Sequence, residues 1–272
     1  MTVLASKNNP KVQRWAKLAR HARLRRDEGR ALIEGPHLVA ELLAAGLKPV
    51  ALLVSEAALG KREIGALLKG FDPVVLSDSA FRSIVEADTP PGIAAEIEIP
   101  AGPKGGPGDT VFLEGIQDPS NVGAILRSAA AFGVGRAILD RGCADLWSPK
   151  TLRAGTGAHF RLGLQQVRSL EDHLAAFAGT LVCTVPRGGI ALDAAKFERP
   201  LGWILGAEGQ GISAAAERHA KLKVTIPMAP GVESLNVAAA AAICLYEGFA
   251  KNQTPRSPSA HDPLHRGSGA GQ

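Results

Sequence analysis

Between residues 110 and 251, short apolar runs alternate with helical stretches at nearly regular intervals, and few architectures accept that pattern. "TVFLEGI", "RAILD", "LGLQQV", "TLVCTVP", "LGWILG" and "KVTIPM" each read as a buried strand. Strands alternating with helices predict a mostly parallel sheet with helices on its faces. Ligands of such sheets gather at the carboxyl ends of the strands, so chemistry is sought in the loops there. The last helix, within "SLNVAAAAAICLYEGFA", is apolar on nearly every side and is expected to be buried.

The chain divides around this unit. Residues 30–99 carry a shorter alternation, from "ALIEG" through "PHLVAELLAAG", "PVALLVS" and "PVVLS" to "GIAAEIEIP", and read as a small α/β domain. "PAGPKGGPGD", residues 100–109, has no periodicity and reads as a linker. Residues 252–272 have no apolar pattern and read as a disordered tail. Residues 1–29 read as a basic arm with an amphipathic helix over 10–28, its apolar side made by Val12, Trp15, Leu18, Ala19 and Ala22.

Charge gives that arm its interest. Residues 1–30 hold nine Lys/Arg against Asp27 and Glu28, a net +7, while the whole chain carries +5, leaving −2 for the rest. A basic segment on a near-neutral body predicts a polyanionic partner, RNA above all. Aromatics are only 4%, which disfavours a base-stacking platform. No apolar run reaches the roughly 18 residues of a membrane helix, and the start lacks the apolar core of a signal peptide. Cys143, Cys183 and Cys244 lie far apart in apolar settings, so buried thiols in a reducing, cytoplasmic setting are expected and a metal site is not.

The familiar phosphate-loop, serine-elbow and zinc-protease motifs are missing, and "GAEGQG" is GxxGxG rather than the dinucleotide fingerprint. Three strand ends nevertheless carry polar or glycine-rich loops. In "QDPSNVGAILRSAAAFG", Asn121 sits where the helix begins and Arg127 shares a face with Ala124, Ser128 and Ala131, residues small enough to admit a close neighbour. In "LGWILGAEGQGIS", Glu208 stands between glycines that let backbone approach a ligand. In "IPMAPGVESLNVAAAAA", Ser234 and Asn236 both suit a helix N-cap, but one helix needs only one cap.

Taken together, the three loops resemble the motifs of the SpoU (TrmH) family of RNA ribose 2′-O-methyltransferases, in the right order over residues 110–251. "LWSPKTLRAGTGAHF" between them is similar to the family as well. The resemblance implies an α/β catalytic domain whose mostly parallel sheet ends in a deep trefoil knot, preceded by an L30e-like domain that binds RNA. It implies S-adenosylmethionine as cofactor, held by Gly206, Ile226 and Leu235 with Thr184 and Met228, and no metal. Arg127 would activate the ribose hydroxyl, as a base helped by the substrate phosphate or as a stabiliser of the oxyanion. Asn121 and Glu208 would position the machinery, and Ser234 and Asn236 would anchor ribose and cofactor. A homodimer with active-site elements from both subunits is expected, acting on structured RNA, ribosomal ahead of transfer RNA. The competing expectation is a non-catalytic RNA-binding or ribosome-assembly module on the same fold.

Overall fold

The computed structural model describes residues 3–100 and 108–252. Most of the expected linker 100–109 and nearly all of the expected tail 252–272 lie outside the described residues.

The first unit runs β1 (Val3–Leu4), α1 (Pro10–Arg20), α2 (Ala22–Glu28), β2 (Arg30–Glu34), α3 (Pro36–Ala44), β3 (Ala51–Ser55), α4 (Arg62–Leu67), β4 (Val74–Leu76), α5 (Asp78–Ile84) and β5 (Ile93–Glu98). Its five strands are ordered β1-β4-β3-β5-β2, with β5 antiparallel to both neighbours. Asn9 caps α1 by accepting from the Lys11 N–H at 2.9 Å, with Pro10 preset for the first turn.

Two expectations for the first thirty residues are corrected. The single helix over 10–28 is two, because His21 is extended (φ −117°, ψ 105°). The side chain of Arg25 reaches back to the carbonyls of Leu18 and Ala19, which the break leaves unpaired. Nor does the small domain begin at residue 30 as expected, because the apolar side of the preceding helix belongs to it. Val12, Trp15, Leu18 and Ala19 are buried with Leu32, Leu53, Leu76 and Phe81 on one face of the first sheet. Much of its charge is also internally engaged. Arg14 pairs with Glu28 and Glu96, Arg25 with Asp145, Arg23 with Asp27 and Arg30 with Glu98.

The second unit runs β6 (Thr110–Glu114), α6 (Pro119–Ala131), β7 (Arg136–Asp140), α7 (Pro149–Gly155), β8 (Gly163–Val167), α8 (Glu171–Ala175), β9 (Thr180–Thr184), β10 (Ile190–Ala191), β11 (Leu201–Gly206), α9 (Ala214–His219), β12 (Leu222–Thr225) and α10 (Val237–Ala250). Its seven strands are ordered β10-β12-β9-β11-β6-β7-β8 and all are parallel. One face packs on α8 and α9 through Phe112, Ile138, Cys183 and Ile204. The other joins α6, α7 and α10 to the first sheet in one continuous core that holds Ile33, Val54, Val111, Leu126, Leu152 and Trp203.

Three ion pairs, all involving the stretch 145–161, cross the seam between the units: Arg25–Asp145 at 2.7 Å, Glu34–Arg153 at 3.1 Å and Glu41–Arg161 at 2.9 Å. Burial pushes the Glu34 carboxyl above its ordinary range despite Arg153 and the Glu86 N–H. Against α7, α6 comes very close. A methyl group on Gly123 would lie 2.5 Å from the Ala154 Cβ and 2.6 Å from the Thr151 carbonyl.

The last helix departs from expectation too. Val237, Ala241, Cys244 and Leu245 are buried, but Ile243 and Tyr246 are 40% and 55% exposed. An all-round apolar sequence buries only the faces its neighbours cover. No described helix is long and apolar enough to cross a membrane.

Candidate active site

Because every strand of the second sheet is parallel, all their carboxyl ends lie on one side. Thr184 ends β9, Gly206 ends β11, and Ile226 follows β12 directly. The strand expected to run to Met228 stops at Thr225, which frees Ile226 and Met228 to face the space beyond. That space is an open cavity of about 760 Å³, lined by Thr184, Gly206, Glu208, Ile226, Met228, Ser234, Leu235 and Asn236. The glycine loop folds back over the end of β11. Ala207 and Gly211 form a bridge, and a methyl group on Gly206 would lie 2.2 Å from the carbonyl carbon and oxygen of Gly211. Only glycine fits there.

The three polar loops meet at Glu208. Its Oε1 accepts from Asn236 Nδ2 at 2.7 Å, from Asn121 Nδ2 at 2.9 Å and from the Val237 N–H at 3.4 Å. Asn236 Nδ2 also donates to Asn121 Oδ1 at 3.1 Å. Meanwhile Asn236 Oδ1 accepts from the N–H groups of Ala238 and Ala239, so Asn236 is the N-cap of α10. Ser234 is thereby released from capping and stands in the cavity wall. A carboxylate taking three donors through one oxygen fixes the start of α6, the glycine loop and the start of α10 relative to one another.

Arg127 is not brought into this cavity. It is exposed on α6 and has no hydrogen-bond or ion-pair partner among the described residues. It lies six positions after Asn121, about 9 Å along a helix axis.

Other residues support the loops that sequence reasoning singled out. Glu114, paired in register with Gly206, accepts from the Ser213 N–H at 2.7 Å and so holds the far end of the glycine loop. The Asp140 carboxylate accepts from the N–H groups of Gly115 and Cys143 and so fixes the loop before α6. Burial, together with Asp140, pushes the Cys143 thiol up to about 12, which keeps it neutral. The available signal was a carboxylate closing an otherwise apolar strand, in "TVFLEG" and "RAILD". The Ser120 N–H holds the Asp118 carboxyl below its ordinary range, as suits the N-cap of α6. Among the described residues no cluster of three or more His, Cys, Asp or Glu could hold a metal.

Comparisons with known proteins agree with this architecture. Residues 109–246 match the SpoU rRNA methylase family, and residues 9–95 match an MRM3-like substrate binding domain, which takes in most of the basic segment. The chain is 33% identical over 250 residues to the 23S rRNA (guanosine(2553)-2′-O)-methyltransferase RlmP of Bacillus subtilis, covering 90% of this chain and 98% of that protein. It is 28% identical to the mitochondrial rRNA methyltransferase 3 of Homo sapiens, over 82% of this chain and 68% of that one. The crystal structure of the SpoU methyltransferase AviRb from Streptomyces viridochromogenes, in complex with the cofactor AdoMet, superposes with a TM-score of 0.81 at 28% identity, over 90% of this chain and 98% of that one.

Proposed function

The chain belongs to the SpoU rRNA methylase family, and on that premise we propose that it methylates a ribose 2′-hydroxyl of ribosomal RNA, using S-adenosylmethionine bound in the cavity at the ends of β9, β11 and β12. The observation that carries the proposal is the convergence of Asn121, Glu208 and Asn236 beside that cavity. The cavity suits the cofactor. Its volume of about 760 Å³ lies within the range of small-molecule sites, roughly 300–1,000 Å³. Its walls mix apolar Ile226, Met228 and Leu235 with Thr184 and Ser234, and the carboxylates of Glu208 and Glu233 suit a cationic sulfonium.

When bound, the cofactor supplies an electrophilic methyl group. The chain's own residues do the rest. Gly206, Ile226 and Leu235 offer backbone groups to hold it, with Thr184 and Met228 completing the walls. Glu208 keeps Asn121 and Asn236 in place, so acceptor and methyl donor meet in line. Arg127 holds the negative charge that develops on the ribose oxygen, a role suited to a guanidinium that does not readily lose its proton. The hydroxyl proton leaves to solvent.

Arg127 lies outside the cavity of its own chain, and α10 leaves Ile243 and Tyr246 exposed beside Phe132 at the end of α6. A homodimer paired through this face would cover the apolar patch and bring Arg127 of one protomer towards its partner's cavity. The same reading takes the passage of the glycine loop and α10 as a trefoil knot, the first unit as an L30e-like RNA-binding domain, and the setting as cytoplasmic. The three free, buried cysteines support a reducing compartment.

Calorimetric titration of S-adenosylmethionine tests the pocket. One site per chain is expected, lost in Gly206→Ala because the new methyl group displaces the folded-back loop. A variant that binds as tightly as wild type would remove the cofactor from this cavity.

A further inference from the structure

Beside the cavity, on the same side of the second sheet, an arginine follows each of β7 and β8. Asp140 and Val167 are paired in register at the ends of these neighbouring strands, and Arg141 and Arg168 are the residues that follow them. Both are exposed, and neither has a hydrogen-bond or ion-pair partner among the described residues.

The scaffold beneath them is built. The Asp140 carboxylate accepts from the Cys143 N–H at 2.9 Å, which holds Arg141 at the tip of a tight turn, and from the Gly115 N–H at 3.1 Å, which ties that turn to the loop before α6. Gln166 donates from Nε2 to the carbonyls of Asp140 and Cys143, at 3.1 and 3.3 Å, and so locks the end of β8 to the same turn. The Asp140 carboxylate is held by backbone N–H groups and makes no ion pair with either guanidinium. Two unpaired cations on neighbouring strand ends repel each other, and an anion placed between them relieves the repulsion. Planar guanidinium forks fit phosphate oxygens in particular.

We propose that Arg141 and Arg168 form a preorganised clamp for the RNA phosphate backbone beside the target nucleotide. The inference rests on the methyltransferase reading above. In strand order, β7 and β8 lie two and three strands from β11, roughly 10–15 Å from its end, so the clamp grips phosphates near the reacting ribose rather than the ribose itself. Phosphate contacts of this kind set register and orientation and add affinity that falls with salt.

The test measures binding of the full chain to an unmodified large-subunit rRNA transcript across a series of salt concentrations. Arg141→Ala and Arg168→Ala should each lower the magnitude of the log K against log salt slope by about 1, and the double variant by about 2. Melting temperature and S-adenosylmethionine affinity should stay at wild-type values. Lys221→Ala, an exposed cation at the opposite end of the sheet, should leave the slope unchanged. A double variant with the wild-type slope, in a protein that binds and methylates the transcript, overturns the clamp alone. A wild-type protein that neither binds nor methylates it overturns the methyltransferase reading and the clamp together.

Discussion

At the scale of single residues, Asn236 and Ser234 show what a sequence can and cannot say. Both are good N-caps, and only the bonds from Ala238 and Ala239 decide that Asn236 is the cap while Ser234 faces the cavity. The polar site residues were legible because they break apolar surroundings at strand ends. The exposed, unpartnered state of Arg127 was not, because helical spacing gives a face but not what covers it. His159 is a further case, a titratable group hidden in an apolar setting. Its Nε2–H donates to the Leu146 carbonyl at 2.8 Å, and burial holds the imidazole down to about 4. Above pH ~6.5 the ring is neutral in both native and unfolded chains, and its contribution to stability is fully present. As pH falls from there towards 4, the unfolded chain takes up a proton that the native state refuses, and on the order of 3 kcal/mol is lost. Melting temperature should therefore fall over this window, and His159→Gln should flatten the fall. Equal slopes for the two proteins would contradict the assignment.

At the scale of elements, the alternation of strands and helices was legible because burial on both faces leaves continuous apolar runs, as in "TVFLEGI" and "LGWILG". Less legible was where elements stop. β12 ends before Ile226, just ahead of Pro227, which cannot donate to a ladder, and the helix over 10–28 breaks at His21, whose backbone is extended. The contact of α6 with α7 is the closest helix pairing beside the site, and Gly123 makes it possible. A methyl group there meets the backbone carbonyl of Thr151 at 2.6 Å, which no side-chain rotation relieves. Gly123→Ala should therefore cost about 1–3 kcal/mol and shift the helix that carries Asn121 and Arg127. Chemical denaturation and turnover read both effects together. A variant with wild-type stability and turnover would show that the two helices have room to part.

At the scale of the whole molecule, one core and three ion pairs join the two units, and residues 3–28 are part of the first sheet's packing. Composition showed the charge of that segment but not its use. Arg14 and Arg25 are spent on Glu96 and Asp145, and only the fold places those partners nearby. Deleting residues 1–28 removes Val12, Trp15 and Leu18, each worth roughly 1.5–3 kcal/mol when buried, against a total stability of only about 5–15 kcal/mol. The truncated chain should lose cooperative melting of the first unit rather than only some affinity for RNA. Calorimetric melting of the truncated chain checks this, and an unaltered melting profile would restore the boundary at residue 30. For the whole molecule the proposal is methyl transfer at the meeting point of the three loops. Its most direct test is transfer of a labelled methyl group from S-adenosylmethionine to large-subunit rRNA, with the product identified as a 2′-O-methyl nucleotide, by wild type and by Arg127→Ala. Wild type should give a ribose 2′-O-methyl product. Arg127→Ala should lose kcat on the order of 100-fold or more, with RNA and cofactor affinity largely kept. Methylation on a base instead of the ribose, or full turnover by Arg127→Ala, would contradict the proposal.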